Sequence, residues 1–210
     1  MARERLALPA VRLAPRLLGS ILRSRVDGVE VAVRLTEVEA YEGAQDPASH
    51  AFRGSTERTA VMFGPAGHLY CYFTYGMHWC ANIVCGEAGV ASAVLLRAGE
   101  VVDGLPAARA RRPAARRDTV LASGPARLAS CLGLDRSQNG VDLCDPSATV
   151  VLESMPVRQL RGTAHGPRVG ISVAVEQPWR FWLADAPSVS AFRPGGRRRA
   201  AADRQTGGRD

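Results

Sequence analysis

The sequence predicts one domain of mixed α+β structure. The chain has 210 residues, enough to bury a full core without disulfide or metal staples. Stretches that alternate with period two are interspersed with stretches of helical spacing. No boundary divides residues 1–193, so they are read as a single unit. From Pro194 the chain is Gly, Arg and Ala without apolar pattern, and residues 194–210 are read as a disordered Arg/Gly-rich tail.

The elements follow in order. Leu13, Leu17, Leu18, Ile21 and Leu22 fall at helical spacing and predict one or two short helices within residues 6–25, around Pro15. Asp27-Gly28 is a turn signal. Residues 29–40 alternate cleanly, with Val29, Val31, Val33 and Leu35 on one side, and predict a strand with one buried face. Residues 42–58 lose the alternation and form a long connection, with room for a short helix near Pro47 to Phe52. Connections of this length in a compact domain are often functional. Strands are expected over 68–73, 79–85 and 90–97. Residues 100–118 read as loop or short helix running into a basic block, and 118–131 as a helix whose start is set by Ser123-Gly124-Pro125. Asn139-Gly140 is a turn, and strands are expected at 150–152 and 168–173.

Charge is distributed unevenly. All 27 basic residues are Arg, there is no Lys, and the formal net charge is +7. Residues 1–25 hold six Arg and one Glu, 109–118 five Arg and one Asp, and 191–210 six Arg and two Asp. These blocks surround a mildly acidic body. Blocks of this kind suit phosphate contact, and solvated tails would carry the same pattern at the two ends. No run of 18 apolar residues and no secretory signal is present, which points to a cytoplasmic protein without membrane contact. The five cysteines form no CxxC and read as free thiols in a reducing compartment, with no metal site.

Chemistry concentrates between residues 37 and 97. All four tyrosines lie between positions 41 and 75, with His50 and His68 among them. Tyrosines suit stacking on bases, and they also suit a sheet face packed under the basic blocks. Glu37 and Glu39 continue the parity of Leu35, so the buried face of the strand ends in two carboxylates. Unless a bulge turns them to water, they need partners, because an unpaired buried carboxylate is costly. Arg97, after the apolar run Val94-Leu95-Leu96, is the natural partner.

At these residues the sequence resembles the alkyladenine (3-methyladenine) DNA glycosylase family. The resemblance rests on Glu37-Val38-Glu39-Ala40-Tyr41 with Gly43, Asp46 and His50, and on the run from Gly67 to Asn82. It continues in Val94-Leu95-Leu96-Arg97-Ala98, Ser123-Gly124-Pro125-Ala126-Arg127-Leu128 and Arg168-Val169-Gly170-Ile171. It spans about residues 14–192, and the order and spacing of five blocks make it specific. It implies a curved antiparallel sheet with flanking helices, and removal of alkylated or deaminated purines from damaged double-stranded DNA without a cofactor, by a monomer. It implies that Glu39 activates water and that Arg97 lies near that water. Tyr41, His50 and Tyr72 would hold the flipped base, Asn82 would disfavour unmodified guanine, and Tyr75 would intercalate where the nucleotide has left. Phe73-Thr74 departs from members with two aliphatic residues there, which leaves the width of the pocket wall open.

The residues agree with this from their own side. A glycosylase must unstack its base, and needs an aromatic pocket and a wedge. A purine alkylated at N3 or N7 is cationic and gains from tyrosine and histidine ring faces. A binding module without chemistry would account for the arginines and tyrosines, but gains nothing from inward carboxylates. Arg109, Arg111, Arg112, Arg116 and Arg117 are candidates for the DNA backbone. With no lysine for a Schiff base, a monofunctional enzyme without lyase activity is expected.

Overall fold

A computed structural model describes residues 1–154 and 162–195. Most of the expected 194–210 tail therefore lies outside the described residues. The described chain is one α+β unit built on an open antiparallel sheet. Its strands are β1 (Ile21–Val26), β2 (Val29–Tyr41), β3 (Leu69–Thr74), β4 (His78–Val84), β5 (Ala93–Asp103), β6 (Ala122–Ser123), β7 (Val150–Glu153), β8 (Thr163–Gly166) and β9 (Arg180–Leu183). The sheet runs β3-β4-β5-β2-β1-β7, with β6 on β5 and the β8–β9 pair joined to β2. Helices α1 (Ala10–Leu17), α2 (Leu105–Arg111) and α3 (Pro125–Leu132) flank it. None of the described helices is long and apolar enough to cross a membrane.

The sheet has two differently occupied faces, set by the period-two alternation of its strands. Leu69 and Cys71, Ala81 and Ile83, Val94 and Leu96, and Val38 and Ala40 join one core with Leu13 and Leu17 of α1 and Leu128 and Leu132 of α3. The intervening residues Tyr70, Tyr72, Cys80, Asn82, Leu95, Arg97 and Tyr41 line a cavity instead.

Strand β2 departs from simple alternation. Leu35 pairs with Gly99 and Glu37 with Ala98, so Thr36 is an extra residue on β2. Val38 then pairs with Leu96, so Arg97 is the extra residue on β5. A bulge moves every following side chain to the other face. The core parity Val31, Val33, Leu35 therefore resumes as Val38 and Ala40. Glu37 and Glu39 are buried, but on the cavity side rather than in continuation of the Leu35 face. The bulge turns them toward arginines, not toward water.

Several sequence expectations need correction. The helical reading of residues 6–25 holds only for Ala10–Leu17. Gly19, at φ 78°, ends it, and Ile21–Val26 is β1, paired with β2 across the Asp27-Gly28 turn. Turns, not a helix, occupy Pro47 to Phe52. β5 runs on to Asp103, and the helix expected over 118–131 begins at Pro125. Residues 168–173 are not a strand. Gly170 and Ala174 take positive φ (76° and 51°), which breaks extension, and Arg168 turns inward; the C-terminal strands are β8 and β9.

Candidate active site

The cavity measures about 340 Å³ and opens on one side of the sheet. Tyr41, Tyr72, Asn82 and Arg97 reach it from four neighbouring strands, His50 from the long connection, and Val169-Gly170-Ile171 from the irregular C-terminal loop. Tyr70 and Tyr72, two apart on β3, stack at 5.5 Å with an interplanar angle of 30°. His50 meets Tyr72 edge-on at 4.5 Å, and its Nδ1 lies 3.4 Å from the Tyr70 hydroxyl. Burial, reinforced by the nearby Arg58 guanidinium, holds the His50 imidazole below its usual pKa, so it is neutral at pH 7. Burial raises the Tyr41 and Tyr72 phenols, which stay protonated. The walls are thus uncharged ring surfaces, suited to a flat, electron-poor guest.

The two carboxylates lie behind this wall, both fully buried. Glu37 Oε1 accepts from Arg97 Nε (2.8 Å), Arg180 Nε (2.7 Å) and Ser190 Oγ (2.9 Å), and Oε2 accepts from the Ser190 amide (2.7 Å). Burial pushes its pKa up, but Arg97, the Ser190 amide and Arg180 outweigh burial and hold it below the ordinary value. Glu39 is more lightly held. Its Oε1 accepts the Val169 amide (2.7 Å), and its Oε2 accepts the Tyr41 hydroxyl (3.0 Å) and a long bond from Arg97 Nη1 (3.4 Å). Burial dominates and raises its pKa, despite Arg97 and the Val169 amide. Glu39 does not itself line the cavity, whereas all three of its partners do. A carboxylate has about four acceptor positions, so three donors leave one for the proton of a water. One carboxylate is therefore anchored as an anion, and its neighbour, held by fewer donors, keeps an acceptor position open.

Tyr75 stands at the tip of the β3–β4 hairpin, 85% exposed, at the cavity rim. Its φ is 52° and that of Gly76 is 67°, with Met77 N bonded to Thr74 O. Two successive positive φ values match the twist of a tight hairpin turn. For an aromatic residue this conformation costs about 1–3 kcal/mol, a cost found mainly where function holds it.

The basic block separates into two groups. Arg109 pairs with Asp118 (2.8 Å), and Arg111 donates to the carbonyls of Cys131 and Val26. Arg112, Arg116 and Arg117 line a groove with Arg127 of α3, and no carboxylate is among the described residues that line it.

The structure thus brings Tyr41, His50, Tyr72, Tyr75, Asn82 and Arg97 to one cavity, sets Glu39 just behind it, and leaves the 109–117 arginines outside it. Sequence reasoning missed Tyr70, although the YCYFTY alternation places it on the Tyr72 face. It also missed Arg180 and Ser190 on Glu37, and the buried Arg168–Asp46 pair; no local pattern marks these long-range contacts. Among the described residues, no group of three His, Cys, Asp or Glu could hold a metal.

The chain is similar to known proteins along nearly its whole length. The family model for methylpurine-DNA glycosylase matches residues 4–187. A protein of Streptomyces avermitilis is 50% identical over 202 residues, covering 92% of both chains, and one of Nocardia farcinica is 52% identical over 195 residues, covering 90% of both. A third, from Mycobacterium tuberculosis, is 46% identical over 198 residues, covering 92% of this chain and 94% of its own. All three are provisionally named as 3-methyladenine DNA glycosylases. The match of the family model over residues 4–187, with relatives 46–52% identical over at least 90% of the chain, places the chain in the methylpurine-DNA glycosylase family.

Proposed function

We propose that this protein is a DNA repair glycosylase that flips alkylated purines out of duplex DNA and hydrolyses their N-glycosidic bond. The observation that carries the reading is the unequal pair Glu37 and Glu39, one saturated with donors and one left with a free acceptor position, behind an aromatic cavity. The flipped base stacks among Tyr41, His50 and Tyr72, with Asn82 crowding the 2-amino group of normal guanine. Tyr75 fills the gap in the duplex. Glu39 takes a proton from water as the oxygen bonds to C1′ and the C1′–N bond breaks, with the electron pair leaving on the purine. Arg97 lies beside that water and holds both carboxylates in place. A base alkylated at N3 or N7 is already cationic and leaves without acid catalysis. Neutral hypoxanthine and ethenoadenine complete the proposed range, and solvent protonates them as they leave.

Arg112, Arg116 and Arg117 support the DNA backbone, with Arg109 and Arg111 contributing at the edge of that footprint. The protein acts as a monomer and needs no cofactor. Because the chain carries no lysine, and the Met1 amino group is bonded to Leu152 O on β7, water is the nucleophile and the product is an intact abasic strand. The test is incubation with duplexes each carrying one lesion, followed by alkaline cleavage at abasic sites. Excision of 3-methyladenine and 7-methylguanine is expected. Lesion binding without any release of base would refute the reading.

A further inference from the structure

The buried guanidinium of Arg168 has no part in the chemistry above, yet it lies over the Tyr41 ring and pairs with Asp46 in the connection that carries His50. Its side chain is fully buried. Nη1 donates to Ala40 O (3.0 Å) and Asp46 Oδ2 (2.5 Å), and Nη2 to Asp46 Oδ1 (2.8 Å). The guanidinium carbon lies over two rings, 4.6 Å from the centroid of Tyr41 and 5.1 Å from that of Trp179. Asp46 in turn accepts from the Ala48 amide (3.1 Å) and so fixes the connection that carries His50. The next residue, Val169, supplies the amide that holds Glu39 Oε1.

One side chain therefore links the Tyr41 wall, the His50 wall, the β2 backbone next to Glu39 and the donor to Glu39. Its Nε has no partner among the described residues, and an unsatisfied buried donor costs about 1–3 kcal/mol. An apolar residue of similar volume would fill the space beside the two rings without that cost. What an apolar residue cannot supply is a fixed orientation for a carboxylate, two backbone segments and a ring at once.

We infer that Arg168 is a positioning residue for base excision, clamping Tyr41 and the His50 loop and setting the Val169 amide against Glu39. The inference rests on the proposed role of Glu39 and goes beyond it. Arg168 never touches the substrate; it acts through Tyr41, His50 and Glu39. Its loss should slow the chemical step more than it weakens binding. It should also move the pH dependence, because the Val169 amide is one of few groups favouring the ionised Glu39. The others that face Glu39 are Arg97 and the charge of Arg168 itself, which favour the anion and of which the second is kept in Arg168→Lys, the Tyr41 hydroxyl, which donates to it, and Glu37 and Tyr72, which do not favour it.

The experiment compares the parent protein with Arg168→Lys, which keeps the charge but loses the fork and the flat stacking surface. Asp46→Asn is the second variant, which keeps the guanidinium but weakens its anchor. Release of 3-methyladenine from dimethyl-sulfate-treated duplex DNA is followed in single turnover across pH, with melting recorded alongside. In folded variants the maximal rate should fall at least about tenfold, half-saturation should move less than about threefold, and the acid limb should shift to higher pH. A folded variant with the parental rate and limb overturns the inference, as does a rate loss with an unmoved limb. If neither variant folds, Arg168 is a structural residue only. Glu39→Gln, run in parallel, separates the two failures: an active Glu39→Gln refutes the proposed role of Glu39, while an inactive one beside parental Arg168→Lys refutes only the role of Arg168.

Discussion

Replacing Glu39 and Glu37 by glutamine, one at a time, should have opposite consequences for rate and stability. In Glu39→Gln the amide oxygen still accepts the Val169 N–H, and the new NH2 can donate to the Tyr41 hydroxyl. Arg97 loses only the 3.4 Å bond and keeps Glu37 at 2.8 Å. Burial has raised the pKa of Glu39, so the fold disfavours its ionised form. Removing that charge should leave the melting temperature at or above the parental value. The rate should fall by about 10²–10⁴, the usual contribution of a general base, or about 2.7–5.4 kcal/mol of barrier. In Glu37→Gln two nearly buried guanidinia, Arg97 and Arg180, lose their shared anion. Breaking a buried pair on one side costs about 3–5 kcal/mol. For a domain of this size that lowers the melting temperature by about 6–20 °C. The assays are thermal melting by circular dichroism and single-turnover release of 3-methyladenine. Excision by Glu39→Gln within about threefold of the parent would refute the reasoning. So would a Glu37→Gln protein that melts normally and is inactive, since Glu37 would then be the base.

The remaining predictions test other parts of the site. Because Glu39 must be ionised and its pKa is raised, activity should be lost on acidification at a pH above the ordinary glutamate value of 4.5, and pH–rate profiles will give that midpoint; a midpoint below 4.5 would contradict the desolvated base. Tyr75→Gly removes an exposed side chain from a positive-φ position, so melting should rise by the equivalent of about 1 kcal/mol while lesion-DNA affinity falls; a large drop in melting temperature with unchanged affinity would make Tyr75 a structural residue. Arg116→Ala and Arg117→Ala should each reduce the slope of log affinity against log salt by about 0.9 with unchanged melting, measured by fluorescence anisotropy. Borohydride added during turnover should trap no covalent protein–DNA adduct, because no lysine is present to form the imine.

The parts of the fold that were legible in the sequence are those carried by local pattern. Alternation marks β2, β3 and β4, and the chemistry of a lone arginine after an apolar run points to Arg97 as partner of the carboxylates, as found. Helical spacing misled at Ile21 and Leu22, where the Leu13–Leu17 pattern runs past Gly19 into β1. The bulge at Thr36 has no glycine or proline on its own strand to announce it, so the parity argument buried the carboxylates correctly but on the wrong face. Arg168 and Asp46 stand 122 positions apart, and nothing local to either marks the pair. The site's aromatic walls and the Arg97 partner were therefore legible, but not Arg168, Arg180 and Ser190 behind them, because the former come from neighbouring strands and the latter from the far C-terminal segment.

The two partners of β2 along one edge have a consequence for how the molecule is made. Residues 29–34 pair with β1, only a turn away, while Glu37 to Glu39 wait for β9 at residues 180–182. The Ser190 and Val169 amides that receive the two carboxylates arrive from the same late segment. A nascent chain that has already zipped its hairpins still exposes both acids to water, and contacts of such long sequence separation form slowly. The two buried carboxylates thus depend on contacts of long sequence separation, and a chain cut short before residue 169 would lack the backbone amides that hold them.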